Sequence, residues 1–284
     1  MMSSTGKLRG VVLAGGLGRR LGSLTKITNK HLLPVWDRPM VFYPLQALVE
    51  AGICEIILVV GGQHPGEFLR LLGDGKHLGV KRLQYAYQEG QGGIAAALRC
   101  ARDFCEGQRM CVVLGDNIFE SSLGPFAERF LRQSSGARLL LKRVRHPERF
   151  GVPQFAERRI RRIVEKPRRP PSPYAVTGIY FYDADVFDVI DSLRPSRRGE
   201  LEISDVSNAY LRRGDLAYDI LPGWWTDAGT IPTLFHAGQL AARTWARTRG
   251  LAADAQAALP DSAWVRLSHR RLFERPHKAK GRRR

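Results

Sequence analysis

Apolar residues fall into two rhythms along the first half of the chain. Short strand-like runs at 8–14, 53–60, 82–87 and 110–114 alternate with segments of helical spacing at 39–51, 67–72 and 94–104. The run at 53–60 is apolar almost throughout, the pattern of a strand buried on both faces of a parallel sheet. Proline near the start of 39–51 and Gly52 past its end are helix boundary signals. This strand–helix alternation predicts an α/β fold built on a doubly wound sheet. The second half is more mixed, with strands expected at 139–144, 151–155, 160–165 and 176–182. Helices are expected from residue 185, over 203–213 and over 230–246. The expected layout is one domain over 1–247, in two parts at about 8–135 and about 136–247. A basic tail, expected to be flexible, follows at 248–284.

A length of 284 residues suits one large α/β domain or two small ones, and 44% apolar residues is ordinary for a soluble globular chain. No apolar run approaches the roughly eighteen residues of a membrane span, and residues 1–7 lack the apolar core of a secretory leader. A cytoplasmic protein without a membrane partner is therefore expected. The formal charge of +18 invites a nucleic-acid reading, but nine Lys/Arg against one Glu fall within 265–284. A second cluster, Arg158-Arg159-Ile160-Arg161-Arg162, runs on to Arg168-Arg169. Such local concentration reads as a solvated tail and a polar loop. No zinc-finger spacing or aromatic RNA-binding pattern accompanies it, so nucleic acid is not an expected partner. Cys54, Cys100, Cys105 and Cys111 lack metal-ligand spacing and read as structural.

The first strand opens into Gly15-Gly16-Leu17-Gly18-Arg19-Arg20. Glycines after a buried strand let backbone N–H groups approach a polyphosphate with no Cβ in the way. Arg20 and Lys30 then supply the cations that a triphosphate requires. The pattern is not a P-loop, because no Gly-x-x-x-x-Gly-Lys-Ser/Thr occurs. Nor is it a dinucleotide fingerprint, because the third glycine is displaced to Gly22 and Asp37 falls shortly before a proline. Hydride transfer is disfavoured. Asp116, in Gly115-Asp116-Asn117, ends the fourth expected strand. Both it and the glycine loop would lie beyond the carboxyl ends of strands, where doubly wound sheets bind ligands.

Three later clusters carry further polar chemistry: Val164-Glu165-Lys166-Pro167, 199–205 (GELEISD) and 224–229 (WWTDAG). With LAGGLGRRL at 13–21, NKHLLPVWDRPM at 29–40, LGDNIF at 114–119, PERFG at 147–151 and YAVTGIYFYD at 174–183, they form an ordered set over residues 8–240. On these motifs the chain resembles the sugar-1-phosphate nucleotidyltransferases, most closely the branch that transfers thymidylyl groups to glucose 1-phosphate. The resemblance implies a mixed, mostly parallel Rossmann-like core with a small sugar-binding subregion, so that about 8–135 would be the nucleotide-binding part and about 136–247 the sugar-phosphate and metal part. It implies that glucose 1-phosphate attacks the α-phosphate of dTTP in line, assisted by Mg²⁺, giving dTDP-glucose and pyrophosphate. Arg20, Lys30 and Lys166 are the implied catalytic residues, the first two on the triphosphate and the third on the sugar phosphate. Nucleotide contacts are implied at Leu13, Gly15, Gly16, Gly18, Gln88, Gly93 and Asp116, and sugar-phosphate contacts at Gly151, Glu165, Lys166, Val176 and Arg198. Asp116 and Asp227 are the implied Mg²⁺ ligands. A nucleoside triphosphate and a sugar 1-phosphate are the expected partners, and a homo-oligomer is the expected assembly.

Four positions depart from the family pattern: Arg19 stands for a usual threonine, Phe150 for a usual tyrosine, and Gln91-Gly92 for Pro-Asp in the loop facing the base. Other readings stay open. The same chemistry with another triphosphate or hexose 1-phosphate is one. A nucleotide-sugar glycosyltransferase is another, since Asp183-Ala184-Asp185 has the letters of an Asp-x-Asp metal motif, although its place before a helix suits capping. A third is an inactive paralogue with a nucleic-acid-binding tail. Asp116 also reads as a turn residue, Glu202 and Asp205 as helix-start residues, and Trp224-Trp225 as core aromatics.

Overall fold

The computed structural model describes residues 8–249. Beyond Arg249, the expected basic tail lies outside the described residues. Seven strands build the main sheet: β1 Leu8–Ala14, β2 Glu55–Gly61, β3 Arg82–Gln88, β4 Arg109–Leu114, β5 Ala137–Arg143, β6 Tyr174–Tyr182 and β7 Leu216–Ile220. Their spatial order is β7-β5-β6-β4-β1-β2-β3. Neighbours run parallel except around β6, which is antiparallel to both β4 and β5. This is the mixed, mostly parallel sheet that the sequence leads one to expect.

Alternation along β1 feeds two cores. Val11 and Leu13 pack with Ile57, Val59, Ala95 and Leu98 on one face, while Val12 and Ala14 pack with Leu45, Leu48, Phe68 and Phe130 on the other. Each such side chain contributes about 1.5–3 kcal/mol on burial. Helices on both faces are what make a continuous apolar strand stable here. The chain leaves β1 towards β2 and β3, then returns to β4 on the opposite side of β1. The strand order therefore reverses between β1 and β4. The glycine loop follows β1 and Asp116 follows β4, so both open onto that crevice.

Outside the main sheet, Gly151–Ala156 and Arg159–Glu165 form an antiparallel hairpin that packs on the helix Ile203–Arg213. Its two-residue turn, Glu157-Arg158, has both φ positive, as a twisted type I′ turn requires. Several boundaries differ from the sequence pattern. The expected helix at 94–104 divides into Ile94–Arg99 and Arg102–Cys105, because Cys100 and Ala101 donate three residues back and tighten the turn. The expected helix at 39–51 begins only at Phe42, since Pro39 belongs to the small hairpin of Pro34–Val35 with Arg38–Pro39. Asp185 at the helix N-cap makes no side-chain capping bond. Asp183 instead accepts from the Gly136 N–H and the Tyr210 hydroxyl, which ties the end of β6 to the start of β5 and to the helix Ile203–Arg213. Cys105 and Cys111 are buried, whereas Cys54 is half-buried. No helix among the described residues is long and apolar enough to cross a membrane.

Candidate active site

Every residue singled out from the sequence as a site residue lines one cleft of about 590 Å³ at the strand reversal. On the β1 side, close approach dictates the glycines. A Cβ on Gly15 would stand 2.6 Å from Oε1 of Gln88. Gly18 has φ +66°, and a Cβ there would meet the Lys30 Cβ at 2.8 Å. Gln88, buried at the end of β3, donates to the Gly93 carbonyl at 3.2 Å and so joins the strand end to the next loop. Arg20 lies exposed in the turn Arg19–Thr25.

Lys30 opens the turn Lys30–Leu32, which is fastened from below. Asn29 caps it by accepting from the His31 N–H at 3.0 Å. The Asn29 amide also donates to the carbonyls of Ala14 at 3.4 Å and Gly61 at 3.3 Å, the last residues of β1 and β2. His31 is buried beneath the site. Burial, and then the Lys30 charge, push its pKa down to about 3, so it is neutral in ordinary buffers.

Lys30 Nζ donates to Asp116 Oδ2 at 2.5 Å. Burial alone would raise the Asp116 pKa, but the Lys30 charge, with hydrogen bonds from Lys30 and Asn117, holds it well below the usual carboxylate range. Asp227 is raised instead, by burial first and then by the neighbouring Asp116 charge, against Arg149, Arg20 and Lys30. A two-stranded ribbon, Asn117–Phe119 against Trp225–Asp227, sets the two aspartates side by side in the register Asn117 opposite Asp227. The Ala228 N–H seals the junction by donating to the Asp116 carbonyl at 2.8 Å.

Asn117 was not singled out from the sequence, yet it organises this corner. Its Oδ1 accepts from the Gly178 N–H at 2.9 Å and from Trp225 Nε1 at 2.7 Å, while its Nδ2 donates to Asp116 Oδ1 at 3.0 Å. A Cβ on Gly229 would sit 3.0 Å from Arg20 Nη2, 3.4 Å from Asp227 Oδ2 and 3.5 Å from Asp116 Oδ2. Glycine therefore keeps open a small space bounded by two carboxylates. Two hard oxygen donors beside the cleft suit Mg²⁺, which keeps its remaining positions for waters and substrate phosphates. Among the described residues no group of three or more acidic, His or Cys side chains forms an all-protein metal cage.

The opposite wall comes from the hairpin and the segment before the helix Ile203–Arg213. Glu165 accepts from the Ser204 hydroxyl and lies 3.3 Å from Lys166 Nζ. Arg198 reaches Glu200 at 2.9 Å, Glu202 at 3.3 Å and Glu165 at 3.9 Å. Lys166 has φ +41°, a costly conformation for a side-chain-bearing residue, immediately before Pro167. Its N–H donates to the Phe150 carbonyl at 3.0 Å, which holds the strained peptide against the Gly151 strand. A Cβ on Gly151 would meet Ser204 Oγ at 3.2 Å, so this wall too depends on a missing side chain. Val176, on β6, is buried at the cleft floor. Phe150 packs edge-on to Trp225 with ring centroids 5.2 Å apart. Arg149 also faces the cleft, with Nη2 3.3 Å from Asp227 Oδ2. Its neighbours in PERFG were the only sequence signal for it.

Residues 9–244 match the model of the nucleotidyl transferase family. A glucose-1-phosphate thymidylyltransferase of Actinoplanes sp. (strain SE50/110) is 45% identical over 228 residues, covering 79% of this chain and 75% of its own. A protein of the same description from Mycobacterium tuberculosis (strain H37Rv) is 42% identical over 248 residues, 86% of this chain and 85% of its own. Among solved structures, a Bacillus anthracis protein described as a glucose-1-phosphate thymidylyltransferase, in complex with a sucrose, matches at 49% identity with a TM-score of 0.79. That match covers 82% of this chain and 95% of the other. A UDP-glucose pyrophosphorylase complexed with UDP-glucose shares the fold, with a TM-score of 0.73 at 21% identity over 83% of this chain and 99% of its own.

Proposed function

The chain belongs to the nucleotidyl transferase family, and from that membership we propose that it transfers a thymidylyl group from dTTP to glucose 1-phosphate, giving dTDP-glucose and pyrophosphate. One observation carries the proposal beyond the family match. A single cleft sets the glycine loop, Arg20, Lys30 and the aspartate pair on one wall and Glu165, Lys166 and Arg198 on the other.

The reaction brings a phosphate dianion onto a triphosphate. Two unit charges 4 Å apart repel by about 4 kcal/mol at an effective dielectric of 20, and several such pairs meet here. Arg20 and Lys30 hold the triphosphate and the departing pyrophosphate, while the backbone N–H groups at Gly15, Gly16 and Gly18 cradle it from below. Lys166 and Arg198 hold the sugar phosphate, so that its oxygen lies in line with the α-phosphorus and the leaving oxygen. Positioning and electrostatics then do most of the catalysis, as is usual in phosphoryl and nucleotidyl transfer. Asp116 and Asp227 would hold Mg²⁺, which when bound neutralises charge on the α-phosphate. Glu165, fixed by Ser204, offers an acceptor for a sugar hydroxyl, and the bare Gly151 lets the sugar ring approach. Gln88 and Gly93 face the base. On this assignment residues 8–135 serve the nucleotide and 136–247 the sugar phosphate and metal, with the main sheet shared between them.

The glycosyltransferase alternative loses its metal motif, because Asp183 is engaged with Gly136 and Tyr210 away from the cleft lining. The test is to mix the protein with Mg²⁺, glucose 1-phosphate and each nucleoside triphosphate in turn, measuring pyrophosphate and chromatographing the products. Release with dTTP, with dTDP-glucose formed, is the expected result. Release only with another triphosphate would keep the chemistry and move the substrate, and no release with any hexose 1-phosphate would refute the proposal.

A further inference from the structure

Both carboxylates at the candidate metal position are already paired with cations. Asp116 has Lys30 Nζ at 2.5 Å, and Asp227 has Arg149, whose Nη2 lies 3.3 Å from Oδ2 and 3.4 Å from Oδ1. One nitrogen thus faces both oxygens that a divalent ion would use. Arg149 arrives from the turn Pro147–Arg149 on the sugar-side wall, with its guanidinium 5.5 Å from the Phe150 ring centroid. Phe150 in turn packs on Trp225, two residues before Asp227, so the arginine and its target share one aromatic support. The Arg149 side chain is 36% exposed against 14% for Asp227. The pair therefore opens to solvent on the arginine side.

The two carboxylates are each offset by one cation, Lys30 and Arg149, and Arg20 Nη2 close by at the Gly229 position tips the local charge to positive. A divalent ion arriving alone meets no net negative charge and must displace a cation from each ligand. A triphosphate brings several negative charges at once, and these give the displaced cations new partners. We propose that Arg149 is a positioning residue that competes with the divalent ion for Asp227. It neutralises and aims the carboxylate before substrate binds, and yields it when the metal enters with the triphosphate, which frees the guanidinium for phosphate oxygens. This rests on Asp116 and Asp227 being the metal ligands of the proposed reaction.

The test titrates Mn²⁺ alone, without nucleotide, into the full chain and follows the free-ion signal by electron paramagnetic resonance. Arg149→Met removes the competing charge while keeping much of the side-chain length. It should bind Mn²⁺ at least about tenfold more tightly than wild type, since close charge pairs carry coupling of that order or more. Arg149→Lys should stay within about threefold of wild type, and adding Asp227→Asn to the Met variant should abolish the gain. A merely structural role for Arg149 would leave Mn²⁺ affinity unchanged or lower it, and that result, with an unchanged circular dichroism spectrum, would overturn the proposal. If the Met variant does not fold, Arg149→Gln carries the same expectation. Tighter Mn²⁺ binding by the variant, with no dTDP-glucose formed by wild type, would uphold the competition and reject only the substrate pair.

Discussion

A single methyl group at position 229 should separate the geometry of the site from the stability of the fold. Gly229 has a backbone φ that any residue adopts, so Gly229→Ala introduces no left-handed strain. Restricting the unfolded chain contributes about 0.4–1 kcal/mol in favour of the folded state. Against this stands one contact, 3.0 Å from the new Cβ to Arg20 Nη2, which the end of a flexible side chain relieves by shifting. The melting temperature should therefore move by no more than about 4 °C, the equivalent of roughly 1 kcal/mol in a domain of this size. The active site fares differently. The methyl touches Oδ2 of both Asp227 and Asp116, at 3.4 and 3.5 Å, and fills the space between them with apolar volume. Whatever binds there must retreat by about the radius of a methyl group. A misplacement of about 1 Å costs on the order of a hundredfold in rate, or about 2.7 kcal/mol. Steady-state pyrophosphate release with dTTP and glucose 1-phosphate, run beside a thermal melt, reads both quantities on one preparation. A kcat/KM within threefold of wild type at unchanged Tm would refute the assignment of the Asp116–Asp227 space to the reacting groups.

Other substitutions test other walls of the cleft. Lys166→Ala should lower kcat by about a hundredfold or more, as the loss of one preorganised charge contact does, and near-normal turnover would remove Lys166 from the mechanism. Gly18→Ala forces a left-handed φ of +66° on a residue with a Cβ and presses it 2.8 Å from the Lys30 Cβ. It should cost about 1 kcal/mol and raise KM for the triphosphate more than for the sugar phosphate, which substrate-saturation curves will resolve. Asn117→Ala strands two donors, the Gly178 N–H and Trp225 Nε1, without their acceptor. At about 1–3 kcal/mol per buried unsatisfied group, the urea midpoint should fall measurably, and an unchanged midpoint would contradict the organising role given to this side chain.

What the sequence makes legible follows from how local each constraint is. The glycine loop is readable because close approach leaves one residue type possible at Gly15 and Gly18, and that demand is written into adjacent letters. The strands β1, β2 and β4 are readable because burial on both faces enforces an uninterrupted apolar run. β7 is not, since Leu216–Asp219 are only half-buried, Ile220 is exposed, and the segment becomes a strand through parallel pairing with β5. The break at Cys100-Ala101 is equally silent, because alanine-rich sequence suits a continuous helix and only the tightened final turn interrupts it. In the site, Asp116 and Asp227 are visible as motif letters, whereas Asn117 is hidden. Its importance lies in joining its neighbour Asp116 to Gly178 and Trp225, which are 61 and 108 residues away in the chain.

Those three bonds also explain why the reactive corner stands where it does. A carboxylate pair held only by flexible side-chain contacts would drift apart under its own repulsion. Here the separation is set by backbone instead. Asp116 immediately precedes the ribbon strand Asn117–Phe119 beyond the carboxyl end of β4, Asp227 closes the partner strand, and the Ala228 N–H to Asp116 carbonyl bond fixes their spacing. Asn117 then fastens that ribbon to β6 through the Gly178 N–H. The one antiparallel strand of the sheet thereby serves as an anvil for the ribbon, close beside Val176 on the sugar side of the cleft. The antiparallel insertion of β6 is thus part of what positions the aspartates, and weakening its grip on Asn117 should loosen both carboxylates together.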